Sequence, residues 1–412
     1  MKKVGNKVVV VGLGAVGVSY AYSMLNQALC DDMVLIDINR TRAEGEARDF
    51  RHGMPYAASP ARIYVGDYDD CSDADIVCIC AGAAQAPGET RLDLIDKNLR
   101  IFRDIVSKVM ASGFDGIFLV ASNPVDVLSY AVLRFSGLPK ERVIGSGTIL
   151  DSARFRVCLG NEFDVAPWSV DAMMIGEHGD SIIALWSTAN IAGMSVQKML
   201  EQSEDGQARM DKIYTTVRNA AYEVIAAKGS TSHGIGMGLS RISNAILHNQ
   251  GVVLPVSTLL EGEFGQNGVY IGVPTVVNRQ GAVRIIDLQL SDDEAERFTR
   301  SAELLKSYQR KVDEMVGETE SPLSKTSSEN RKFGFQTTFS VHKPKPYFSA
   351  FNTLCRRVSL NTMPALTETF MLSTVPNMGI DTSMSQCSRV RRRMPSPSLP
   401  ITHAALSGRS QW

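Results

Sequence analysis

A histidine, an aspartate and an arginine supply the groups that a ketone reduction needs. His178 stands between glycines in "IGEHGDS", where its imidazole can approach a bound molecule closely. With a reference pKa near neutrality, it can give the carbonyl oxygen a proton while hydride adds to carbon. Asp151 and Arg154 are three residues apart, on neighbouring positions of one helix face. A buried Asp151 would orient the imidazole, and Arg154 could grip a substrate carboxylate through two parallel hydrogen bonds.

The stretch "GAAQAPGETRLDL" (82–94) contains Gly and Pro, as loops do, and carries Gln85 and Arg91. Arg91, arriving on a closing loop, could polarise the carbonyl while water is expelled. Each of these residues also has a plain structural interpretation. A histidine in a Gly-rich turn is often only a loop residue, and an Asp/Arg pair on a helix is often a surface ion pair. Their joint occurrence favours a catalytic site.

A dinucleotide site is indicated by Gly12, Gly14 and Gly17, which form G-x-G-x-x-G after an apolar, strand-like run. The first glycine allows a tight turn, the second lets the backbone approach a pyrophosphate, and the third lets helix and strand pack closely. Asp37 lies 20 residues beyond Gly17, where an acid can bind a ribose 2′-hydroxyl. Because its charge would repel a 2′-phosphate, the sequence favours NAD over NADP.

The same opening stretch also permits a secretory signal or a membrane anchor, because three lysines precede an uncharged run over 8–30. Cleavage after that run would remove the glycine-rich, phosphate-binding turn, and the proposed roles of Asp37 and His178 both require that turn. Its glycines and polar side chains also make it a poor membrane span. We therefore expect a cytoplasmic protein whose first residues form a buried strand and the helix behind it.

Short apolar strands alternating with helical segments predict a parallel sheet with helices on both faces. We predict an α/β fold, with a doubly wound Rossmann-type NAD-binding domain over 1–147 and an α+β catalytic domain over 148–317. The predicted strands fall at 7–12, 32–38, 62–68, 73–83 and 113–124, with antiparallel strands in 268–290. The predicted helices fall at 15–28, 92–110 and 291–318, and Ser291 with Glu294 forms a capping-box pattern in the last.

The composition is that of an ordinary globular protein, with 44% hydrophobic and 21% charged residues. The net charge of −1 conceals an asymmetry, because the segment from Glu318 onward holds 12 Lys/Arg against 5 Asp/Glu. The preceding residues are therefore acidic, which argues against nucleic acid as a partner. The seven cysteines suggest reduced, buried thiols. We assign Cys78 and Cys80 to opposite faces of a strand and expect no metal site.

The segment over 318–412 is rich in Ser, Thr and Pro and shows no sustained helical or strand period. Three interpretations are open: a disordered basic interaction tail, extra translated sequence without a selected fold, or a small folded domain. We predict a tail that is disordered or non-native and unrelated to the preceding domains.

Residues 5 to about 317 resemble the lactate/malate dehydrogenase family, in particular its bacterial L-lactate dehydrogenases. The resemblance rests on "GLGAVG", "GAAQAPGETRLDL", "ASNPVD" (121–126), "GSGTILDSARFR" and "GEHGD", all in family order and spacing. It implies reversible hydride transfer between NADH and pyruvate, giving L-lactate, in glycolysis and fermentation. It also implies a homotetramer without a membrane or nucleic-acid partner.

The resemblance further assigns roles to individual residues. His178 would be the proton donor and acceptor, Asp151 its partner, and Arg91 the lid arginine. Substrate contacts would come from Gln85, Arg91, Asn123, Arg154 and Thr231. Cofactor contacts would come from Gly12, Gly14, Val16, Gly17, Asp37, Arg42, Tyr68, Gly82, Ala83, Ala121, Asn123, Ser146 and Ile235. For Arg42 and Tyr68, an exposed cation and a packing aromatic ring are the alternatives.

Gln85 bears on the choice of substrate. Six residues before the lid arginine, malate dehydrogenases carry an Arg that pairs a second substrate carboxylate, and a neutral Gln cannot supply that charge. Pyruvate and L-lactate are therefore favoured over a dicarboxylate. Longer 2-oxo acids stay open, because Ser232 and His233 stand where the family more usually has an aromatic pair.

A second departure from the family concerns regulation. Many bacterial members bind fructose 1,6-bisphosphate through an Arg and a His. Arg156 matches the Arg, but Asp171 stands in the place of the His, and an Asp repels phosphate. We expect weak or absent activation by this ligand. A catalytically idle NAD-binding or sensing protein is the alternative of another class, yet such a protein would usually have lost a catalytic residue, and none is missing.

Overall fold

The structure, a computed structural model, describes residues 5–83 and 91–320 of the 412-residue chain. These residues belong to one compact unit. The predictions about Gln85 and about the segment over 321–412 lie outside the described residues.

The described strands are β1 (Lys7–Val11), β2 (Asp32–Ile36), β3 (Arg62–Val65), β4 (Ile76–Ile79), β5 (Ile117–Val120), β6 (Val143–Gly145), β7 (Val170–Asp171), β8 (Met174–Ile175), β9 (Ile183–Ala184), β10 (Asn190–Ile191), β11 (Met194–Ser195), β12 (Val252–Glu261), β13 (Asn267–Asn278) and β14 (Gly281–Ile285). The described helices are α1 (Ala15–Asn26), α2 (Arg40–Gly53), α3 (Arg91–Ala111), α4 (Val125–Ser136), α5 (Ile149–Glu162), α6 (Val196–Glu201), α7 (Gly206–Lys228), α8 (His233–Leu247) and α9 (Asp292–Glu320). Short 3-10 helices lie at Met54–Tyr56, Tyr68–Cys71, Lys140–Arg142, Pro167–Ser169 and Glu263–Gly265.

The main sheet has nine strands in the order β14-β13-β12-β6-β5-β4-β1-β2-β3. Strands β1 to β6 run parallel to one another, in the doubly wound order with a switch between β1 and β4. Strands β12, β13 and β14 extend this sheet in antiparallel fashion. The predicted α/β class and Rossmann-type sheet are confirmed, as are the antiparallel strands within 268–290. The continuity of one sheet through both parts was not predicted.

The strand that opens the uncharged stretch, β1, is buried on both of its faces. All five residues of β1 are buried, since parallel strands covered by helices on both faces have no solvent side. Helix α1 packs on α8, where Tyr20 bonds Ser243 at 2.7 Å and Ser23 bonds Ser240 at 2.8 Å between hydroxyl groups. None of the helices over 5–83 and 91–320 is long and apolar enough to cross a membrane.

Cys78 of β4 and Cys80, which directly follows that strand, point to the same side, with their sulfur atoms 3.7 Å apart. The prediction of opposite faces is wrong, because side chains alternate along a strand and residues two apart share a face. Within the part of the chain that the structure describes, no group of three or more His, Cys, Asp or Glu side chains is arranged to hold a metal ion.

The capping box predicted for the last helix is present. The Ser291 hydroxyl accepts from the backbone N–H of Glu294 at 3.4 Å, and the Glu294 carboxylate accepts from the backbone N–H of Ser291 at 3.0 Å. This reciprocal pair satisfies two amides at the start of α9. The helix continues to Glu320, so the first three residues of the predicted tail are helical.

Candidate active site

The glycine-rich turn between β1 and α1 has the geometry that its three glycines predict. Gly12 has φ +93°, and a Cβ there would lie 2.5 Å from the backbone of Ala81. A Cβ on Gly17 would lie 1.9 Å from the carbonyl oxygen of Gly12. A Cβ on Gly14, by contrast, would have no atom within 4 Å, and this glycine borders a cavity of about 760 Å³. The turn therefore places free backbone and the start of a helix against open space, as a pyrophosphate requires.

This cofactor cavity brings together seven of the predicted cofactor residues: Gly12, Gly14, Asp37, Arg42, Tyr68, Gly82 and Ala83. Asp37 follows β2, and its carboxylate accepts from the backbone N–H of Leu13 at 2.7 Å and of Asn39 at 2.8 Å. It thus fixes the glycine turn as well as bringing an acid to the cavity. The open Gly14, the helix start and this acid fit NAD.

Other predicted cofactor residues lie elsewhere. Among the described residues, the linings of the cofactor cavity and of the substrate cavity described below do not include Val16, Gly17, Ala121, Ser146 or Ile235. Val16, Ala121 and Ile235 are half-buried and pack against the hydrophobic core beside β1, and Ser146 is buried. Gly17 contributes close packing under the turn. The roles of these five residues stay predictions.

His178, Asp151 and Arg154 form a connected group. Helix α5 carries Asp151 and Arg154 on one face, and the loop after β8 carries His178. His178 Nδ1 lies 2.6 Å from Asp151 Oδ2, and Arg154 Nη1 donates to Asp151 Oδ1 at 2.9 Å. Asp151 is only 6% exposed, so its charge is desolvated and paired on both oxygens.

The charges in this group shift the pKa values of its members in opposite directions. Burial alone would raise the pKa of Asp151, but His178 and Arg154 outweigh it and hold that pKa below its ordinary value. Burial alone would lower the pKa of His178, but the charge and hydrogen bond of Asp151, with the charge of Asp126, raise it to about 8. The imidazole is therefore protonated at neutral pH, although about a quarter of its side chain is exposed.

A second cavity of about 450 Å³ lies against this group, and we call it the substrate cavity. Four of the predicted residues line it: Asn123, Asp151, Arg154 and His178. Thr231 is half-buried and is not among the described residues of the lining. Arg91 is the first residue of α3, so the helix predicted over 92–110 begins one residue earlier, at the arginine expected on the loop. The side chain of Arg91 lies outside the described part of the structure.

Asn98 is a buried polar residue of α3 that the sequence patterns did not single out. Its side-chain oxygen accepts from the backbone N–H of Ala83 at 2.8 Å, and its side-chain nitrogen donates to the Asn123 carbonyl at 3.1 Å. It therefore connects the edge of the cofactor cavity to a residue of the substrate cavity. Asn98 is 0% exposed and lies between the buried Ile95 and Phe102. A polar residue on the apolar face of a helix is the sequence signal that could have identified it.

The last turns of α7 were also missed. Arg218, Ala221, Tyr222 and Ile225 line the substrate cavity, and the Tyr222 hydroxyl donates to Asp180 at 3.1 Å. Tyr222 and Ile225 are 60% and 47% exposed, which is unusual for apolar side chains on a packed helix. Helical periodicity alone does not reveal that this surface faces a cavity.

The two departures from the family pattern have clear positions. Ser232 is buried and accepts from Lys228 Nζ at 3.2 Å, whereas His233 is exposed at the start of α8. Arg156 donates to the Ala172 carbonyl at 3.0 Å, and its guanidinium lies 3.7 Å from the Asp171 carboxylate. Arg156 is thus already opposite an acidic side chain of its own chain.

Two family models match the chain over nearly all of its described residues. The lactate/malate dehydrogenase NAD-binding domain matches residues 6–145, and the lactate/malate dehydrogenase alpha/beta C-terminal domain matches residues 148–316.

The chain is also similar to individual lactate dehydrogenases. It is 55% identical over 311 residues to L-lactate dehydrogenase 1 of Staphylococcus aureus (strain JH9), which covers 76% of this chain and 98% of that protein. The minor L-lactate dehydrogenase of Enterococcus mundtii, in its ligands-bound form, has a similar structure with a TM-score of 0.73 and 45% identity, covering 75% and 99% of the two chains. A lactate dehydrogenase from a Medee basin deep-sea metagenome library, MGS-M5, gives a TM-score of 0.73 at 43% identity, covering 75% of this chain and all of that one.

Proposed function

The chain belongs to the lactate/malate dehydrogenase family and is an NAD-dependent oxidoreductase, and we propose that it interconverts pyruvate and L-lactate. The observation that carries this proposal is the His178–Asp151–Arg154 group on the wall of a cavity that Asn123 also lines. That group supplies a proton donor and an anion-binding cation for one small 2-oxo acid. The names of the similar proteins agree with this substrate.

His178 is the proposed acid and base. When bound, NADH supplies the hydride to the substrate carbon. Because Nδ1 of His178 is engaged by Asp151, the other ring nitrogen, Nε2, is the one to give its proton to the carbonyl oxygen. Asp151 holds the ring orientation and stabilises the imidazolium before transfer. In lactate oxidation the neutral imidazole takes the hydroxyl proton back.

Arg154 is the proposed partner of the substrate carboxylate. One of its N–H groups bonds Asp151, and the remaining face of the guanidinium can bind a carboxylate through parallel hydrogen bonds. At 16% side-chain exposure, Arg154 is shielded enough from water for such a pair to be strong. Asn123 is proposed to bind the carbonyl side of the substrate, with Arg91 and Thr231 as further contacts.

A comparison of 2-oxo acids tests the substrate. With the purified full chain, NADH oxidation is followed by its absorbance with pyruvate, oxaloacetate and 2-oxoisocaproate in parallel. We expect kcat/KM to be highest with pyruvate, because Gln85 brings no charge for a second carboxylate. Comparable turnover of oxaloacetate would overturn the assignment of Gln85, and a preference for 2-oxoisocaproate would identify a branched 2-hydroxy acid dehydrogenase. NADH binding without turnover of any of the three would favour an idle binding protein.

We also propose that fructose 1,6-bisphosphate does not activate the enzyme. Arg156 faces the carboxylate of Asp171, which already balances its charge and would repel an incoming phosphate. We expect the KM for pyruvate to stay the same when the bisphosphate is added at millimolar concentration. A large fall in KM would contradict this proposal and leave the dehydrogenase activity itself intact. A homotetramer in the cytoplasm stays the expected state.

A further inference from the structure

Asp126 is a buried residue next to the proposed site. It is not among the residues proposed to bind the substrate or the cofactor. It lies on α4 with 2% exposure. Its Oδ2 accepts from the backbone N–H of His178 at 2.9 Å, and its Oδ1 accepts from the Ser257 hydroxyl at 2.7 Å. One carboxylate thereby joins three segments: the start of α4 just beyond Asn123, the loop that carries His178, and strand β12.

The hydrogen bonds of Asp126 do not by themselves explain why this buried side chain is a charged carboxylate. Burying a carboxylate costs far more than burying a neutral amide or hydroxyl, and a neutral acceptor could also receive the His178 N–H. The two hydrogen bonds only partly compensate, because burial raises the pKa of Asp126 to about 6. Above that pH the carboxylate is ionised, so its charge is present where the His178 imidazole titrates, near pH 8. Asp126 is therefore negatively charged over the pH range in which the imidazole of His178 titrates.

We propose that Asp126 is a positioning residue for His178, holding the loop that carries the imidazole and favouring its protonated form through its negative charge. This inference rests on the proposed role of His178 as the proton donor. Among the described residues, Asp126 is not part of the lining of the cofactor cavity or of the substrate cavity, so it would act through His178.

Other charged groups face the imidazole and must be separated from Asp126. Asp151 contacts the ring directly, and Arg154 opposes the protonated form. Glu177, beside His178 on the same loop, is 1% exposed and raises the pKa of Asp126 as a like charge. The substrate cavity also brings Asp180 and Arg218 to the same side. A substitution that removes only the charge of Asp126 therefore isolates the contribution of Asp126 to the pKa of His178.

Two substitutions separate the charge from the position. Asp126→Asn removes the charge but can keep both contacts, since its oxygen accepts from the His178 N–H and its amide can donate to the Ser257 hydroxyl. Asp126→Glu keeps the charge but displaces the carboxylate by one methylene. Asp293→Asn is the matched control, because it removes one negative charge from an exposed side chain in the first turn of α9.

The titration of His178 is measured in two independent ways. The first is the pH dependence of kcat/KM for pyruvate reduction, which reports the free enzyme. The second is the rate at which diethylpyrocarbonate modifies the His178 peptide, read by mass spectrometry, because that reagent attacks only the neutral imidazole. For Asp126→Asn we expect both midpoints to fall by roughly one pH unit. At pH values well above the midpoint, kcat/KM for pyruvate reduction should then fall about tenfold, because the fraction of imidazolium falls by that factor. For Asp126→Glu we expect an unchanged midpoint with lower kcat at every pH.

The outcomes distinguish this inference from the proposed function. Full turnover with an unmoved midpoint in Asp126→Asn would refute the inference and leave the dehydrogenase standing. A fall in kcat without a shift of either midpoint would mean that Asp126 is merely structural. If the chain does not reduce pyruvate, the modification rate still shows whether Asp126 controls the imidazole. Should Asp126→Asn fail to fold, a lowered midpoint in Asp126→Glu would by itself contradict the proposal.

Discussion

Opposing effects act on the pKa of His178, and their balance sets the pH range of the proposed reaction. Its burial favours the neutral ring, whereas Asp151 and Asp126 favour the charged one and prevail. The pair of Asp151 and Arg154 could be predicted from the sequence, because a spacing of three places two side chains on one helix face. The role of Asp126 could not, because its hydrogen bonds reach His178 and Ser257, which are far from it in the chain.

The pH dependence of turnover follows from the pKa of His178. Pyruvate reduction uses the imidazolium, so its kcat/KM should be constant below the pKa and decline as the pH rises through about 8. Lactate oxidation uses the neutral ring, so its kcat/KM should rise through the same range. Both directions are measured from mildly acidic to alkaline pH in buffers of constant ionic strength, with the stability of the protein checked at each pH. A midpoint at the ordinary histidine value for both directions would contradict the raised pKa.

Replacing His178 by asparagine should separate chemistry from binding. We expect His178→Asn to lower kcat for pyruvate reduction by roughly two to four orders of magnitude, the usual contribution of a general acid. The dissociation constant of NADH, measured by fluorescence, should change little, because His178 does not line the cofactor cavity among the described residues. His52→Asn, at an exposed histidine of α2, is the control and should keep full activity. Equal turnover in both variants would exclude His178 as the acid.

At the scale of single elements, each predicted strand and each predicted helix overlaps an observed one, but the helices α4 and α8 were not predicted. Strand β12 was missed, and its composition explains why. Pro255 interrupts "VVLPVSTLLE", and a proline inside a strand normally argues against a sheet interior. In the fold, Pro255 lies opposite Pro274 of β13, so the two positions without an N–H group face each other. Sequence periodicity cannot reveal such a pairing, because it depends on a partner strand.

The turn between β1 and α1 offers a test of the cofactor site. Gly17→Ala would place a methyl group 1.9 Å from the Gly12 carbonyl, so the turn or the helix must shift. We expect the affinity for NADH to fall at least about tenfold, equivalent to about 1.4 kcal/mol. Gly45→Ala is the matched control, because Gly45 lies exposed within α2 and has nothing near its Cβ position. That variant should keep its NADH affinity and gain up to about 1 kcal/mol of stability. Unchanged affinity in Gly17→Ala would show that this packing does not matter for the cofactor.

At the scale of the whole molecule, the sequence predicted two domains, whereas the strands of both parts share one sheet. Within the sheet, the two parts meet where β12 pairs with β6 in antiparallel fashion, with Ser257 opposite Gly145. Ser257 also donates to Asp126, so the place where the two parts meet is connected to the His178 loop. Local patterns predicted each part, but the join depends on contacts between residues far apart in sequence. The predicted boundary at 147 stays a prediction.

The segment beyond Glu320 should be dispensable for turnover, because every described residue of the proposed site lies before it. A chain ending at Glu320 is expected to keep the kcat/KM and the NADH affinity of the full chain. A chain ending at Tyr308 is the contrasting control, since it removes Gln309 and Val312, which are 3% and 0% exposed. Gln309 also bonds the backbone of Tyr270 at 3.4 and 3.1 Å, so its loss should lower the Tm by roughly 5 °C or more. Loss of activity in the chain ending at Glu320, with its Tm unchanged, would show that the basic segment takes part in function.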